Sequence, residues 1–412
     1  MDNITIGPLA PGRWLDSFEV SRIGFGDRVA PEVAEAEHQV LVDDRLVVAT
    51  EGGPDGNLVG TCGSYPFAMT VPGGGSIPVA GVTNVGVLPT HRRRGIFRRL
   101  MQRQHDDFAA GGVPVAVLNA SDASIYGRIG YGMASRWNLV RVRSGAAFHT
   151  AAPTRDLRMM RSADATEVLP ALYEAARPVR PGTMSRSAAW WEMLLGPTEM
   201  WKGGGHYEVV VAGPDGDDPG GYALYRSSSL NVDPFAEQLG VVVREVVAAT
   251  PATHAALWRY LLDIDLVQTV EARLAEDDPL LWHLVDPRAL GPQGSGDYLF
   301  VRILDVPVAL CARSYSADID IVMGVSDHFR PDGAAAGSFR LQAGPGGASC
   351  EPTTAEPDVV MGVDALGSLY LGGVDARVLA AAGRVGGRSP AVIDAVARAF
   401  RSSPAPFCAT HF

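Results

Sequence analysis

A run of three arginines at 92–94, followed by Gly95, is the clearest chemical signal in the sequence. It separates a β-branched, apolar run at 82–87 from residues 96–108, whose apolar positions have helical spacing. The N–H groups at a helix start are unpaired and partly positive, so arginines beside them favour a pyrophosphate. Gly95 allows a phosphate to approach the backbone closely. The pattern predicts a phosphate-binding turn; a basic surface turn is the simpler alternative.

A second polar group follows the next strand. Residues 113–118 form a short apolar run, and Asn119 comes directly after it. Tyr126 follows seven residues later, with Gly130 and Tyr131 four and five residues beyond. The serine and aspartate between Asn119 and Tyr126 can cap a short helix, which Gly130 can end.

Both segments resemble the coenzyme-binding part of the GNAT acyltransferase superfamily. The first motif there reads Arg/Gln-x-x-Gly-x-Gly/Ala, and this chain matches it from Arg92 to Ile96 but has Phe97 at the last position. The resemblance implies that the hydroxyl of Tyr126 lies near the thioester sulfur and protonates the leaving thiolate. The alternative interpretation is that Tyr126 is a packing aromatic, since buried tyrosines are common.

Composition bounds the possible functions. The 412 residues exceed one ordinary core, and 47% hydrophobic with 20% charged residues is typical of a globular protein. A net charge of −11 disfavours nucleic-acid binding and can attract a cationic substrate. No apolar run approaches the roughly 20 residues that span a bilayer. The N-terminus lacks the pattern of a signal peptide, so we expect a cytoplasmic protein without a membrane anchor.

The cysteines and histidines show no metal-binding pattern. Cys62, Cys311, Cys350 and Cys408 lack ligand spacing, and the nine histidines are scattered. We therefore expect reduced thiols and no metal.

Residues 1–149 read as an active α/β domain. Strand-like runs occur in 33–51 and 57–70, and a third strand covers 78–87. Residues 137–143 alternate weakly, so we expect them to close the same sheet.

Residues 150–290 look like a degenerate copy of the first domain. The strand at 240–247 leads through Thr250 and Pro251 into an apolar helical segment at 257–262. That turn has neither glycine nor an arginine run, so it should not bind a pyrophosphate. The pair Trp190-Trp191 is expected to pack a helix rather than to bind a ligand.

Residues 291–412 form the third predicted domain. Its runs at 339–341, 357–361, 366–373 and 380–383 resemble a sterol carrier protein. The glycine-rich stretch at 291–296 is interpreted as a linker, and the apolar, aromatic stretch at 406–412 as a buried chain end. The remaining predicted elements are strands at 298–311, 318–324, 337–343, 359–363 and 368–371, and helices at about 375–383 and 390–400.

The whole chain resembles the enhanced intracellular survival (Eis) family of N-acetyltransferases. The resemblance implies a mixed α/β fold: an active GNAT domain, a degenerate GNAT domain and a sterol-carrier-like domain. It also implies a homohexamer that acetylates small cationic amines, notably aminoglycosides, with acetyl-CoA as donor. Tyr126 would be the general acid, and the α-carboxylate of the last residue, Phe412, the general base. The implied coenzyme contacts are Val85, Gly86, Val87, Arg93, Arg94, Gly95, Ile96, Phe97, Arg98, Ser121 and Asp122.

Three alternatives stay open at this point. The acceptor could be a protein lysine or a polyamine instead of an aminoglycoside. The chain could instead be a lipid or sterol carrier built on residues 298–412, which would need a large apolar cavity. The acidic residues Asp27, Glu32, Glu35 and Glu37 are candidates for the substrate pocket, with a solvated helix face as the simpler interpretation.

Overall fold

The computed structural model describes residues 3–26, 31–196, 207–229 and 239–412. Its strands form three sheets with helices packed on them. The elements up to residue 133 are β1 (Ile4–Pro8), α1 (Trp14–Phe25), α2 (Pro31–His38), β2 (Val47–Glu51), β3 (Asn57–Thr70), β4 (Ser76–Val87), α3 (Ile96–Ala110), β5 (Val115–Asn119), α4 (Ala123–Gly127) and β6 (Gly132–Met133).

The middle of the chain supplies a second set. These elements are β7 (Arg136–Arg143), β8 (Leu157–Met160), α5 (Ser162–Ala176), α6 (Ala188–Leu195), β9 (Glu208–Ala212), β10 (Gly221–Ser229), β11 (Leu239–Ala248), α7 (Pro251–Leu262), β12 (Val267–Leu274), α8 (Leu280–His283), β13 (Leu290–Asp297) and β14 (Leu299–Ile303).

The last hundred residues supply a third set. These elements are α9 (Val306–Cys311), β15 (Ile319–Ser326), β16 (Gly337–Gly344), β17 (Gly347–Pro352), β18 (Val359–Gly362), α10 (Val363–Tyr370), α11 (Ala376–Ala381), β19 (Val385–Gly387) and α12 (Pro390–Phe400).

Each sheet defines one unit of the molecule. The first unit has the strand order β1-β2-β3-β4-β5-β14-β6 and carries α1–α4. The second unit has the order β13-β7-β12-β11-β10-β9-β8 and carries α5–α8. The third unit has the order β17-β16-β15-β18-β19 and carries α9, α11 and α12, whereas α10 packs mainly against β14 and β6 of the first sheet. The fold is therefore mixed α/β, as predicted.

The prediction that residues 137–143 close the first sheet is wrong. β7 lies in the second sheet, between β13 and β12, whereas β14 inserts between β5 and β6 of the first. β14 is buried along its whole length, as a strand covered on both faces must be. The end of β7 alternates between buried and exposed residues, which suits a strand with one solvated face.

The interpretation of residues 291–296 as a linker is also wrong. They lie within β13, an edge strand whose backbone pairs with β7 through an irregular register near Pro292. Proline has no N–H to donate to a neighbouring strand, so it occurs at sheet edges and bulges. Glycine within a strand often marks a bulge. The glycine and proline content of this segment therefore does not distinguish an edge strand from a loop.

Two predicted strands contain helices instead. The run at 298–311 stays extended only to Ile303, because Asp305 caps α9 by accepting a 3.0 Å hydrogen bond from the N–H of Val308. Residues 368–371 fall at the end of α10 rather than in a strand. Almost every residue of α10 is buried, so its apolar run has no periodicity that separates helix from strand.

Other sequence predictions are confirmed. The first long helix ends at Ala110, directly before the two predicted glycines, and the predicted strand and helix of the second copy are β11 and α7. Trp190 and Trp191 are buried on α6.

Candidate active site

A gap between two parallel strands opens the first sheet. β4 and β5 pair only between Val79–Gly81 and Val115–Val117. Beyond this point Asn84 and Val85 both lie opposite Cys62 of β3, a bulge in which Asn84 has a φ of 50°. A bulge bends its strand and increases the local twist, so β4 turns away from β5.

This gap leads into a cavity of about 330 Å³. Its walls come from the first unit, from α6 and β11 of the second unit, and from the end of the chain. The lining residues are Arg22, Phe25, Val33, Glu37, Tyr65, Val82, Thr83, Asn84, Val85, Asn119, Ala120, Ser121, Tyr126, Trp190, Met193, Leu194, Arg244, His411 and Phe412.

The predicted phosphate-binding turn begins α3. Gly95 is the N-cap residue with a φ of 76°, a left-handed conformation that any side chain would strain. Arg93 also has a positive φ, of 62°. Ile96 is buried, so its side chain belongs to the core and only its backbone can meet a ligand. The first-turn N–H groups lack acceptors within the helix.

The arginine side chains at this turn have different surroundings. Arg92 donates to the carbonyl oxygen of Gly24 at 2.8 Å, and Arg94 lies 3.5 Å from a carboxylate oxygen of Glu51. Arg93 is exposed and has no partner among the described residues. It therefore has the side chain with the greatest freedom to bind an anion here.

Arg98 extends away from this turn. Its guanidinium carbon lies 5.2 Å from the ring centroid of Phe329, in the third unit. The contact ties α3 of the first unit to the third unit.

Two of the three predicted strand residues have clear packing roles. A Cβ on Gly86 would lie 2.8 Å from the Cα of Ser21, so only glycine lets α1 pack this closely on β4. Val87 pairs with Gly60 of β3. Val85, at the bulge, is the member of this trio that lines the cavity.

Phe97, which departs from the family motif, supports Tyr126. The two rings meet edge-on with centroids 5.9 Å apart, and Tyr131 contacts Tyr126 at the same separation. Tyr126 is 5% exposed, and its hydroxyl has no hydrogen-bond partner among the described residues. Burial raises its pKa, with smaller contributions from Cys62 and Asp122. The hydroxyl therefore keeps its proton at neutral pH.

The two polar residues before α4, Ser121 and Asp122, have different roles. Asp122 caps the helix by accepting from the N–H and hydroxyl of Ser124 at 2.9 and 2.7 Å. These hydrogen bonds lower the pKa of Asp122, which is fully exposed. Ser121 lines the cavity, whereas Asp122 does not.

The chain end reaches the same cavity. The N–H of Phe412 donates to Oδ1 of Asn119 at 3.4 Å, and Asn119 itself donates to the carbonyl oxygen of Tyr298 at 3.0 Å. The ring of Phe412 packs on Phe67 and Tyr65, with centroids 5.2 and 6.4 Å apart. Phe412 is 9% exposed, which confirms the predicted buried end.

Comparison with known proteins agrees with this geometry. The acetyltransferase (GNAT) domain family matches residues 5–134 and again, through a second family of the same description, residues 182–303. The sterol carrier protein domain family matches residues 306–409. N-acetyltransferase Eis of Mycobacterium tuberculosis is 36% identical over 399 residues, 94% of each chain. The chain belongs to the Eis family of N-acetyltransferases.

Further relatives support the family assignment. An uncharacterized N-acetyltransferase of Streptomyces avermitilis is 39% identical over 398 residues, 96% of this chain and 95% of that one. The crystal structure of Eis1 from Mycobacterium abscessus superposes with a TM-score of 0.87 at 33% identity, covering 99% of this chain and 100% of that one. The chain is thus an acyltransferase with two GNAT domains and a sterol-carrier-like domain, as predicted.

One acidic candidate reaches the cavity of this Eis-family enzyme. Glu37 is buried and accepts hydrogen bonds from the hydroxyl of Tyr65 at 2.9 Å and the amide of Asn84 at 3.0 Å. Burial raises its pKa against these hydrogen bonds and the charge of Arg22. Glu32 and Glu35 are exposed and do not line the cavity, and Asp27 lies outside the described residues.

Several cavity residues escaped the sequence analysis. Arg22, Tyr65, Asn84 and Arg244 come from four separate elements, and no local motif marks them. Trp190 packs against Tyr65 and Phe67, as predicted for a core residue, and one edge also faces the cavity. Burial lowers the pKa of His411 to about 4, helped by Arg244 and Arg273.

The corresponding turn in the second unit carries a carboxylate. Asp218 accepts from the hydroxyl of Thr253 at 2.7 Å and the N–H of Gly220 at 2.8 Å, and also from Thr250, the N-cap of α7. These hydrogen bonds, with the charge of Arg155, lower the pKa of Asp218 despite its burial. A negative group at this helix start opposes phosphate binding.

No helix among the described residues is both long and apolar enough to cross a membrane.

Proposed function

We propose that this chain transfers the acetyl group of acetyl-CoA directly to an amine of a small polycationic substrate, with aminoglycosides as the leading class. The observation that carries the proposal is the meeting of Tyr126 and the chain end, Phe412, in one cavity beside the gap between β4 and β5. One group can give a proton and the other can take one.

The proposed coenzyme site lies at the start of α3. Its pyrophosphate would bind the first-turn N–H groups from Gly95 to Arg98, with Arg93 and Arg94 beside them. The pantetheine and thioester would follow the opened edge of β4 at 85–87 and pass Ser121 and Asp122. Backbone N–H groups at the bulge would then stabilise the oxyanion that forms during acyl transfer.

The proposed chemistry needs no covalent enzyme intermediate. The α-carboxylate of Phe412 takes a proton from the substrate ammonium, directly or through water. The free amine attacks the thioester carbonyl, a C–N bond forms, and the C–S bond breaks as the tetrahedral intermediate collapses. Tyr126 gives its proton to the departing sulfur, the attacking nitrogen gives its second proton to solvent to leave a neutral amide, and Tyr126 is reprotonated from solvent. An α-carboxyl group with an ordinary pKa of about 3.3–3.7 is ionised at pH 7 and also attracts a cation.

The acceptor class is tested by a panel of amines. Glu37 and the α-carboxylate are acidic groups of the cavity that can bind an ammonium, and Arg22 and Arg244 line the same cavity with positive charge. Release of coenzyme A should be measured with aminoglycosides, polyamines and lysine peptides at equal concentration. Preferred turnover of a lysine peptide or a polyamine would replace the aminoglycoside proposal with one of the two other acceptor classes.

A lipid-carrier function is less well supported. In the third unit Leu366, Leu369, Tyr370 and Phe400 fill the interior and are at most 1% exposed. A depression on this sheet is lined by five glycines together with Val325, Val360, Met361 and three polar residues. Lipid extraction from the purified protein, followed by mass spectrometry, would reveal a bound lipid.

We retain the domain division 1–149, 150–290 and 291–412, although β7, β13 and β14 pair outside the domain that contains them. A cytoplasmic homohexamer without nucleic-acid partners and without a metal is the expected form. Light scattering of the purified protein would measure the assembly.

Loss of both arginines at the turn should weaken coenzyme binding. We expect Arg93→Ala/Arg94→Ala to raise the KM for acetyl-CoA about 10- to 100-fold, because charge-assisted hydrogen bonds contribute about 1.5–3 kcal/mol. The KM for the amine should change far less. Arg103→Ala is the matched control, since Arg103 lies farther along α3 and pairs with Asp107. An unchanged KM for acetyl-CoA in the double variant would remove the phosphate role of this turn.

The second unit should bind no coenzyme. We expect calorimetric titration to give one acetyl-CoA per chain, because Asp218 occupies the start of α7 and no arginine run is present there. Asp218→Asn should also bind one acetyl-CoA per chain, because the turn before α7 still lacks an arginine run in this variant. Two equivalent sites per chain would contradict the degenerate-copy interpretation.

A further inference from the structure

The second unit repeats the opened strand pair of the first. β11 and β12 are parallel and pair from Leu239 and Val267 as far as Val243 and Ala272. Beyond that pairing a cavity of about 250 Å³ lies beside the start of α7. It occupies the position in this unit that the coenzyme gap occupies beside β4, β5 and α3.

The C-terminal segment of the chain lies in this second cleft. Phe407 and Ala409 form part of its wall. The N–H of Phe407 donates to the carbonyl oxygen of Pro181 at 2.9 Å, and Arg244 of β11 donates to the carbonyl oxygen of Ala409 at 2.9 Å. The segment is therefore held through its backbone, as a bound peptide is.

A buried polar cluster holds the next residue, Thr410, through its side chain. Nε of Arg186 donates to the Thr410 hydroxyl at 3.1 Å, and the hydroxyl of Tyr173 lies 3.3 Å from it. Both terminal nitrogens of Arg186 bind Glu245, at 2.8 and 2.7 Å, and Tyr222 donates to the same carboxylate at 2.8 Å.

This cluster is costly to bury and well satisfied. The side chains of Arg186 and Glu245 are 0% and 1% exposed, and such a pair rarely adds net stability over apolar residues of similar shape. Its bidentate geometry fixes the guanidinium plane, so that Nε points at Thr410. The cluster therefore fixes the position of the tail more than it adds to stability.

We propose that the cleft of the second unit is a peptide-binding site for the chain's own C-terminal segment, and that Thr410 is the positioning residue that sets the α-carboxylate of Phe412 in the active-site cavity. The second half of this inference rests on the proposed function. Two residues span at most roughly 7 Å, so a fixed Thr410 confines the carboxylate to a small region.

The test measures how readily the chain end leaves its site. A carboxypeptidase that removes aromatic C-terminal residues can hydrolyse the bond between His411 and Phe412 only when the tail detaches. Intact-protein mass spectrometry then gives the rate of release in the full-length chain. We expect Thr410→Val to accelerate release about 10- to 100-fold, because it leaves the buried Nε–H of Arg186 without its acceptor. Thr410→Ser, which keeps the hydroxyl, should stay close to wild type.

Two further variants complete the design. Arg244→Gln removes the hydrogen bond to Ala409 from a partly exposed side chain, so it tests the cleft even if Thr410→Val folds poorly; it should also accelerate release. Thr354→Val, at an exposed site of the third unit, is the matched control and should release Phe412 at the wild-type rate. Equal rates for wild type, Thr410→Val and Arg244→Gln would overturn the inference.

Activity measured during the same digestion separates this inference from the proposed function. If turnover falls in step with loss of Phe412, both stand. If the digested chain keeps full turnover while Thr410→Val still accelerates release, the cleft is a tail-binding site but the carboxylate is not the base. In the undigested Thr410→Val variant, kcat should fall while the Kd for acetyl-CoA is unchanged; a parallel loss of acetyl-CoA binding would contradict a positioning role.

Discussion

Extension of the chain by one or two glycines beyond Phe412 is expected to reduce turnover by about 10²- to 10⁴-fold, the usual range for loss of a general base. The extension converts the α-carboxylate into an uncharged amide and moves the new carboxylate by roughly 3.3–3.6 Å per residue. Phe412 is 9% exposed and its ring packs against Phe67, so the added residues have little room beside it. Steady-state kinetics with a fixed amine would measure the effect.

Two controls separate the charge from the packing. Phe412→Leu keeps the carboxylate and loses the ring contacts, so it should retain much more turnover than the extended chain. The extended chain should bind acetyl-CoA with unchanged affinity in calorimetry, because the turn at Gly95 is untouched. Full turnover by the extended enzyme would exclude the terminal carboxylate as base, and His411 or Glu37, which also line the cavity, would become the candidates.

Tyr126→Phe is expected to fold normally and to lower kcat by about 10²- to 10⁴-fold, the range typical of general acid catalysis. The ring keeps its contacts with Phe97 and Tyr131, and the hydroxyl that is lost has no partner among the described residues. Rapid-quench measurement of a single turnover would report the chemical step directly, and thermal unfolding would confirm the fold.

Tyr131→Phe is the matched control for this variant. The hydroxyl of Tyr131 lies 3.1 Å from Nε2 of buried His105 and does not line the cavity. Its loss should therefore lower stability by about 1–3 kcal/mol, the cost of an unsatisfied buried group, with little change in kcat. If Tyr126→Phe kept the wild-type single-turnover rate, Tyr126 would be a packing residue only.

The local motifs were predictable because each one rests on neighbouring residues. Gly95 permits the positive φ found at the start of α3, and the strand before it and the helix after it follow from apolar spacing. The same holds for the capped helix that carries Tyr126. These features sufficed to indicate the fold class and the family.

The pairing of distant strands was not predictable from the same signals. The apolar strand β14 and the alternating strand β7 are both acceptable partners for the first sheet on local grounds, and the structure places β14 there and β7 in the second sheet. Sheet membership is decided by which faces are covered by other elements, and the sequence does not state that coverage.

The sequence by itself singled out the candidate groups as predictions: the arginine–glycine turn, Tyr126 and Phe412. Only the tertiary structure decided how those groups meet. The chain end lines the same cavity as Tyr126, and its last residues contact Arg186 and Arg244 of the second unit. Phe412 also contacts Asn119 of the first unit, 293 residues earlier in the sequence. Such long-range contacts depend on shape and burial across three units, and no local pattern of residues encodes them.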